Sequence, residues 1–412
     1  MKILFIQPTG DKRGHYGCWT SKLCQAIAKR GDELYLFTNK IYPEKFLNEL
    51  PQFKIIELAN GKYCFDRYNQ AMENKSLLYW YGYFRTTYLI VKYALKLCQF
   101  GKFDVVFITD AEYLTATLLL KWYKRYLPPV IWHVQAANFS HDSYCGSFLK
   151  KSYKLFQRAI FKSTLNREVN AFAVLGEFHK QELREQLNLG EEFSIEVICD
   201  GADVPDAYFD KADCLKNIGI DYTGTVFLFL GMLRKDKGIE YLIEAASQLK
   251  EYDCKVIIAG ASVDWTLEEL KALVKRYDVA NHVELRVGYV PDHQISSYYY
   301  ASDVIIFPYD KNYTGGCGPL TKGASTHGKP VIVTDVADIG RMVRQYSNGL
   351  IAEPCHAESL AAQMISFINL SLEDRQILAK NAQNLAKKHS WGQVATQLVQ
   401  FLGGVSENAN VK

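Results

Sequence analysis

Three stretches of the chain combine residue types and spacings that could do chemistry. The first is Gly231-Met-Leu-Arg234-Lys-Asp-Lys237-Gly238, a charged turn directly after the apolar run TVFLFLG. Two of its three cations are candidates to meet an anionic group: Arg234 offers a planar fork suited to phosphate oxygens, and Lys237 a compact point charge. The second is Tyr313-Thr-Gly-Gly-Cys-Gly-Pro-Leu320, a glycine-rich stretch leading into a helix that ends at Gly328. Bare amides at such a helix start can approach a phosphate closely. Downstream, Gly323-x-x-x-x-Gly328-Lys329 imitates a P-loop, but Pro330 stands where Ser or Thr should ligate Mg²⁺. That segment also leads into the strand-like VIVTD, the reverse of the order a P-loop needs, so the anion site belongs at 313–320. The third stretch is Pro129-Val-Ile-Trp-His-Val-Gln-Ala-Ala-Asn138. On a strand His133 and Gln135 share a face about 6.6 Å apart. Gln135 can hydrogen-bond a hydroxyl but cannot shuttle a proton, and His133 can also be read as a core histidine.

Strand-like runs alternating with helical patterns must position these groups. KILFIQ, ELYLFT, DVVFIT, PVIWHV and AFAVLG read as one series of strands; TVFLFLG, CKVIIAG, VELRV, DVIIFPY and PVIVTD read as a second. Strands alternating with helices predict parallel sheets and α/β architecture. A chain of 412 residues with 48% hydrophobic and 23% charged content can hold two such cores. The turn-rich stretch 195–209 reads as the linker, giving domains over 1–205 and 206–388, then a helical segment over 389–404 expected to pack back on the first domain. The tail from Gly403 reads as polar and disordered.

The ten cysteines are scattered, with no C-x-x-C pair and no zinc-like Cys/His spacing, which suits a reduced cytosolic setting. Met1-Lys-Ile-Leu-Phe-Ile-Gln-Pro is too short an apolar run for a signal peptide, and no apolar run reaches eighteen residues. The loop after the first strand has glycines at 10, 14 and 17 and misses G-x-G-x-x-G, which argues against a nicotinamide or flavin cofactor.

In order and spacing, Arg234 to Gly238, Ile-Ile-Ala-Gly260, Gly-Tyr-Val-Pro291, Ala-Ser-Asp-Val-Ile-Ile-Phe-Pro308 and Gly-Lys-Pro-Val-Ile332 resemble retaining glycosyltransferases of family 4. The first-strand glycine loop and Ile198-Cys-Asp-Gly-Ala-Asp203 fit the same pattern, so the resemblance covers nearly the whole chain. It implies an α/β protein of GT-B fold, with two Rossmann-like parallel-sheet domains facing a central cleft. It implies transfer of a sugar from a nucleotide-linked donor, with retention and no cofactor; the absence of a D-x-D fits a diphosphate held without metal. Arg234, Lys237, His133 and Gln135 are then the catalytic candidates, Gln135 standing where the family has a histidine facing the donor sugar. Donor contacts fall on Gly231, Tyr309, Thr314, Gly315, Gly316, Cys317, Gly318, Pro319, Leu320 and Gly323, and substrate contacts on Gly14, His15, Tyr16, Gly17 and Asn138. The pattern departs from the family at Met232, where an arginine is usual, and at Gly315 and Gly323. The family places glutamates at those two positions, one for the donor sugar and one for the nucleotide ribose. Their loss predicts a pocket short of two negative charges and two side-chain volumes. It also leaves a second reading open, a non-catalytic GT-B protein that binds a glycan or a partner.

Charge is unevenly distributed: residues 1–167 carry 25 Lys+Arg against 12 Asp+Glu, whereas the chain as a whole is only +3. An anionic partner for the first part follows. Residues 148–165 form a basic amphipathic helix pattern, with Lys151, Lys154, Arg158 and Lys162 at helical spacing beside apolar residues. With the aromatic run at 78–85 this points to an anionic membrane surface and a lipid-linked or glycan acceptor, the alternative being a core-packed helix with a solvated basic face. No nucleic-acid motif accompanies the charge.

Overall fold

The computed structural model describes residues 1–9, 15–39, 53–57, 77–135, 139, 148–205, 207–316 and 318–410. Gly14, Asn138 and Cys317 lie outside the described residues, and of His15, Tyr16 and Gly17 only the helical backbone is described. The chain forms two compact units, Met1–Cys199 with Trp391–Lys412, and Asp200–Ser390. The division falls inside the 195–209 stretch read as the linker, a few residues before the boundary expected at 205.

The first unit is built on seven strands: β1 Lys2–Gln7, β2 Glu33–Thr38, β3 Phe53–Glu57, β4 Val105–Thr109, β5 Val130–Val134, β6 Ala171–Val174 and β7 Ile195–Val197. All are parallel, in the order β3-β2-β1-β4-β5-β6-β7. Alternate residues enter opposite cores. Leu4 and Ile6 pack with Ile90, Ala116, Phe161 and Leu183 on one face, Ile3 and Phe5 with Trp19, Leu23 and Leu398 on the other. Burial on both faces is why the strands read as continuous apolar runs rather than alternating ones. The sequence pattern lacked β3 and β7 because FKIIE and IEV are short and mix charge with apolar residues.

The second unit repeats the plan with β8 Thr225–Leu230, β9 Cys254–Gly260, β10 Val283–Val287, β11 Val304–Phe307, β12 Val331–Thr334 and β13 Gly349–Ala352. Its parallel order is β10-β9-β8-β11-β12-β13. In each sheet the winding direction reverses at one place, between β1 and β4 and between β8 and β11. Loops at the carboxyl ends of strands flanking such a reversal diverge and leave a crevice suited to ligands.

The expectation of a disordered tail from Gly403 is corrected: one helix runs Trp391–Asn410 and crosses Gly403 and Gly404. Packing outweighs the helix cost of the two glycines, since Leu398 and Leu402 are buried, Val405 packs against the same core, and Ser406 Oγ donates to the Asp104 carbonyl at 3.0 Å. Leu398→Ala should therefore cost about 2–5 kcal/mol. Urea unfolding followed by far-UV circular dichroism would show a lowered midpoint; an unchanged midpoint would mean that this helix contributes little to the core.

Candidate functional site

In the second unit the strand ends at the reversal carry the charged turn. Gly231 N–H donates to the Ala259 carbonyl at 3.0 Å, keeping the chain in register one residue past β8. A single 3₁₀ turn, Lys235–Lys237, follows and closes at Gly238 with φ +60°. A side chain there would be strained and would overlap the Pro308 carbonyl, so only glycine lets this turn sit against the end of β11. The turn delivers Lys237 inward, with 8% of its surface exposed. Its Nζ lies 3.6 Å from the ring centre of Tyr309 and 4.1 Å from that of Tyr313. Among the described residues no carboxylate ion-pairs with Nζ and no oxygen accepts a hydrogen bond from it. Burial, and then the nearby Arg234 charge, lower the ammonium to a pKa of about 7 against the pull of Asp236. The π faces compensate a desolvated cation only in part.

Arg234 directs its fork at Asp236, with Nε donating to Oδ1 at 2.9 Å and a terminal nitrogen donating to Oδ2. This pairing holds its pKa above the ordinary value. Lys237 is thus the cation of the pair with hydrogen-bonding capacity in reserve.

Tyr309 and Tyr313 contact one another, with ring centres 4.3 Å apart. Thr334 Oγ1 fixes the Tyr309 backbone by donating to its carbonyl at 2.6 Å, and Tyr313 Oη donates to the Gly316 carbonyl at 3.1 Å. Thr314 is exposed and Gly315 and Gly316 are half-buried. Gly318 begins the helix, and Pro319–Ser325 is wound as a π-helix with Pro319 in its first turn, where no amide donor is needed. Thr326 N–H reaches the Thr321 carbonyl at 3.2 Å, a span of five residues. Such wide turns are rare and concentrate at functional sites. Leu320 is buried, and a side chain at Gly318 would overlap the carboxylate of buried Asp200, which pairs with Lys322 Nζ at 3.5 Å.

The expectation of empty side-chain volume at Gly315 and Gly323 is corrected. A Cβ at 323 would overlap Tyr299 Oη and lie 2.8 Å from its Cζ; one at 315 would overlap Tyr313 Oη and lie 2.8 Å from its Cε2. Tyrosines therefore occupy both places. Tyr299 is fixed by stacking on His327, with ring centres 4.4 Å apart and planes 12° apart. His327 Nδ1 is 2.7 Å from the Gly323 carbonyl and Nε2 is 3.1 Å from Ser296 Oγ, so Nδ1 donates. Burial lowers the His327 pKa to about 4, which keeps the ring neutral.

In the first unit, Gln7 at the end of β1, Asp110 after β4 and Gln135 after β5 converge. Asp110 Oδ2 accepts from Gln7 Nε2 at 2.8 Å and from Gln135 Nε2 at 3.2 Å. Asp110 has φ +51°, a left-handed backbone that is uncommon outside glycine and concentrates at functional sites. His133 lies inward of this cluster, 1% exposed, stacked on Trp19 at 4.6 Å and hydrogen-bonded through Nδ1 to Thr109 Oγ1 at 3.0 Å. Sequence reasoning missed Asp110, Tyr299 and Tyr313. A lone Asp directly after the apolar strand FIT was the available signal for the first; nothing in the spacing marks the tyrosines.

Residues 210–385 match the model of the family described as glycosyl transferases group 1. That match lies within the second unit, and the two parallel-sheet units together have the GT-B fold. The chain is 24% identical over 277 residues to an uncharacterized glycosyltransferase of Methanocaldococcus jannaschii, covering 65% of this chain and 68% of that protein. It is 27% identical over 227 residues to the D-inositol 3-phosphate glycosyltransferase of Rhodococcus jostii, covering 52% of this chain and 48% of that one. Among solved structures, Anabaena HepE in complex with UDP superposes with a TM-score of 0.67 at 18% identity, covering 98% of this chain and all of that one. The chain thus has tyrosines packed where its resemblance to family 4 expects carboxylates. Among its described residues, no group of three His, Cys, Asp or Glu is placed to hold a metal.

Gly323→Ala should lower stability by about 1–3 kcal/mol through overpacking against Tyr299. Tyr299→Phe, which removes the overlapping hydroxyl, should recover part of that loss in a double-mutant cycle read by thermal unfolding. Additive effects of the two substitutions would mean that Tyr299 does not fill the space at 323.

Proposed function

We propose that the protein moves a sugar from a nucleotide-linked donor to a glycan or lipid-linked acceptor, with retained configuration and no metal on the diphosphate. The observation that carries this reading is the buried Lys237 ammonium, held over two aromatic faces without a carboxylate partner among the described residues. A cation kept in that state suits an incoming anion. Donor diphosphate would take its hydrogen bonds and those of the Gly316, Gly318 and Leu320 amides. As the sugar C1–O bond breaks, charge grows on the departing phosphate oxygen, and fixed donors stabilise that charge without reorganisation. The acceptor hydroxyl attacks C1 and its proton passes to the departing phosphate oxygen. Arg234 adds positive potential from beside the site while Asp236 holds it.

On the acceptor side, Asp110 is the group we assign, its carboxylate oriented by Gln7 and Gln135 to accept from a hydroxyl. Gln135 serves that carboxylate, and His133 serves the packing beneath it. The complexes of Anabaena HepE with UDP and with UDP-glucose support a uridine diphosphate donor as the first to test. We place the protein on the cytoplasmic side, at an anionic membrane surface.

The tyrosines at the two glycines favour a second reading, a GT-B protein that binds without catalysis. Transfer assays separate the two. Lys237→Ala should lower kcat/KM by about 10²–10³ while the thermal midpoint holds or rises, because the variant no longer buries an ammonium. Asp110→Asn should raise the KM for acceptor while leaving nucleoside diphosphate binding unchanged, and EDTA should have no effect. Near-normal turnover by Lys237→Ala would contradict the assignment of the phosphate anchor, and absence of turnover in the native protein across a donor panel would favour the binding reading.

A further inference from the structure

Which face a helix buries is normally decided by its apolar side. Helix Phe148–Lys162 does the opposite over its central turns. Tyr153 and Gln157, four residues apart, point inward: Tyr153 Oη and Gln157 Nε2 both donate to Glu112 Oε1, at 2.9 and 2.6 Å. Glu112 is itself buried and caps helix Tyr113–Tyr123 by accepting from the Leu114 and Thr115 amides. Phe161 continues the inward face, stacked on Phe139. This polar anchor turns Leu155 and Phe156 outward, 43% and 55% exposed, with Ser152 and Ala159 completing the exposed stripe. Lys151, Arg158 and Lys162 line one flank of it at helical spacing.

The exposed apolar surface continues onto the neighbouring helices. Helices Leu77–Leu97, Tyr113–Tyr123 and Phe148–Lys162 pack side by side on one face of the first sheet. Leu118 and Trp122 are exposed on the middle helix, Trp122 at 82%, and Tyr88 on the first. Between these two helices lies a cavity of about 490 Å³ lined by Phe84, Tyr88, Lys92, Leu114, Leu118 and Trp122, nearly all apolar.

We propose that this outer helical face seats on an anionic lipid bilayer, Leu155, Phe156 and Trp122 entering the interface while Lys151, Arg158 and Lys162 meet lipid phosphates. The proposal deepens the membrane reading given above and rests on it for the location of the acceptor, though its test needs no catalysis. The flanking cations select the occupant. A second copy of the chain seated there would bring like charges together, whereas an anionic surface is complementary to them and to the excess of basic residues in 1–167. No helix among the described residues is long and apolar enough to cross a membrane, so the contact is made along the surface.

The test is sedimentation of the full chain with phosphatidylcholine vesicles, with and without phosphatidylglycerol. Binding should require phosphatidylglycerol and weaken as salt rises. The double substitution Leu155→Ser with Phe156→Ser should cut partitioning by at least about tenfold without moving the thermal midpoint, since both side chains are exposed. Lys151→Gln with Arg158→Gln and Lys162→Gln should remove the salt-dependent part. Brominated lipid should quench native fluorescence, and quenching should fall in Trp122→Phe. Absence of binding to anionic vesicles, or binding indifferent to the Leu155/Phe156 substitution, would overturn the proposal. So would a solution dimer that the same substitution dissolves, because a second copy would then cover the face. Stabilisation by UDP should survive in the Leu155/Phe156 variant. Loss of UDP binding in the native protein with vesicle binding intact would count against the donor reading alone.

Discussion

Lys237 carries its ammonium over the faces of Tyr309 and Tyr313, out of water and with no carboxylate ion-paired to it among the described residues. The ring faces return only part of the lost hydration, so the folded chain keeps a cation near neutrality at about pH 7. Much around it follows from that placement. Gly238 must be glycine for the turn to reach the end of β11, Asp236 occupies the competing fork of Arg234, and Thr334 holds Tyr309 under the ammonium. A site with its charge neutralised internally would bind an anion only by breaking its own ion pair. This one has that cost at Arg234 and not at Lys237.

The two glycines give the site its second character. Positions where the resemblance expects carboxylates are closed by Tyr313 and Tyr299, and Tyr299 is in turn fixed by a neutral His327. Removing two carboxylates from beside an anionic ligand lowers repulsion; filling the volume with aromatic rings excludes water and strengthens the remaining charge interactions. The same substitutions remove the acceptors that a ribose and a sugar hydroxyl would use. On the proposed reading, donor selection rests on groups other than those of the family pattern, Tyr313 and the wide helical turn after Gly318 being candidates.

Much of this was legible in the sequence, for definite reasons. Strands buried on both faces, such as KILFIQ and CKVIIAG, leave continuous apolar runs, and the charged turn at 234–238 follows one of them directly. Short edge strands do not leave such runs: β3 and β7 alternate charge with apolar residues, and β13 is four residues long. The helix through Gly403 was illegible because its stability comes from packing of Leu398 and Leu402 rather than from local propensity. Tyr299 lies on a different helix from Gly323, so no local spacing could announce that one fills the place beside the other. The inward turn of Tyr153 and Gln157 was hidden for a similar reason, since Glu112, which fixes it, is about forty residues away in the chain.

The central claim is that a buried, nearly neutral Lys237 becomes the charged partner of a diphosphate. Calorimetric titration with UDP between pH 7 and 9, in buffers of different ionisation enthalpy, tests it most directly. The folded pKa of about 7 means that above this pH the free protein holds the neutral amine, and binding must take up a proton. The account predicts proton uptake approaching one per UDP bound as pH rises, affinity falling about tenfold per pH unit, and loss of both effects in Lys237→Met. UDP binding that is tight, independent of pH and free of proton uptake over that range would contradict it.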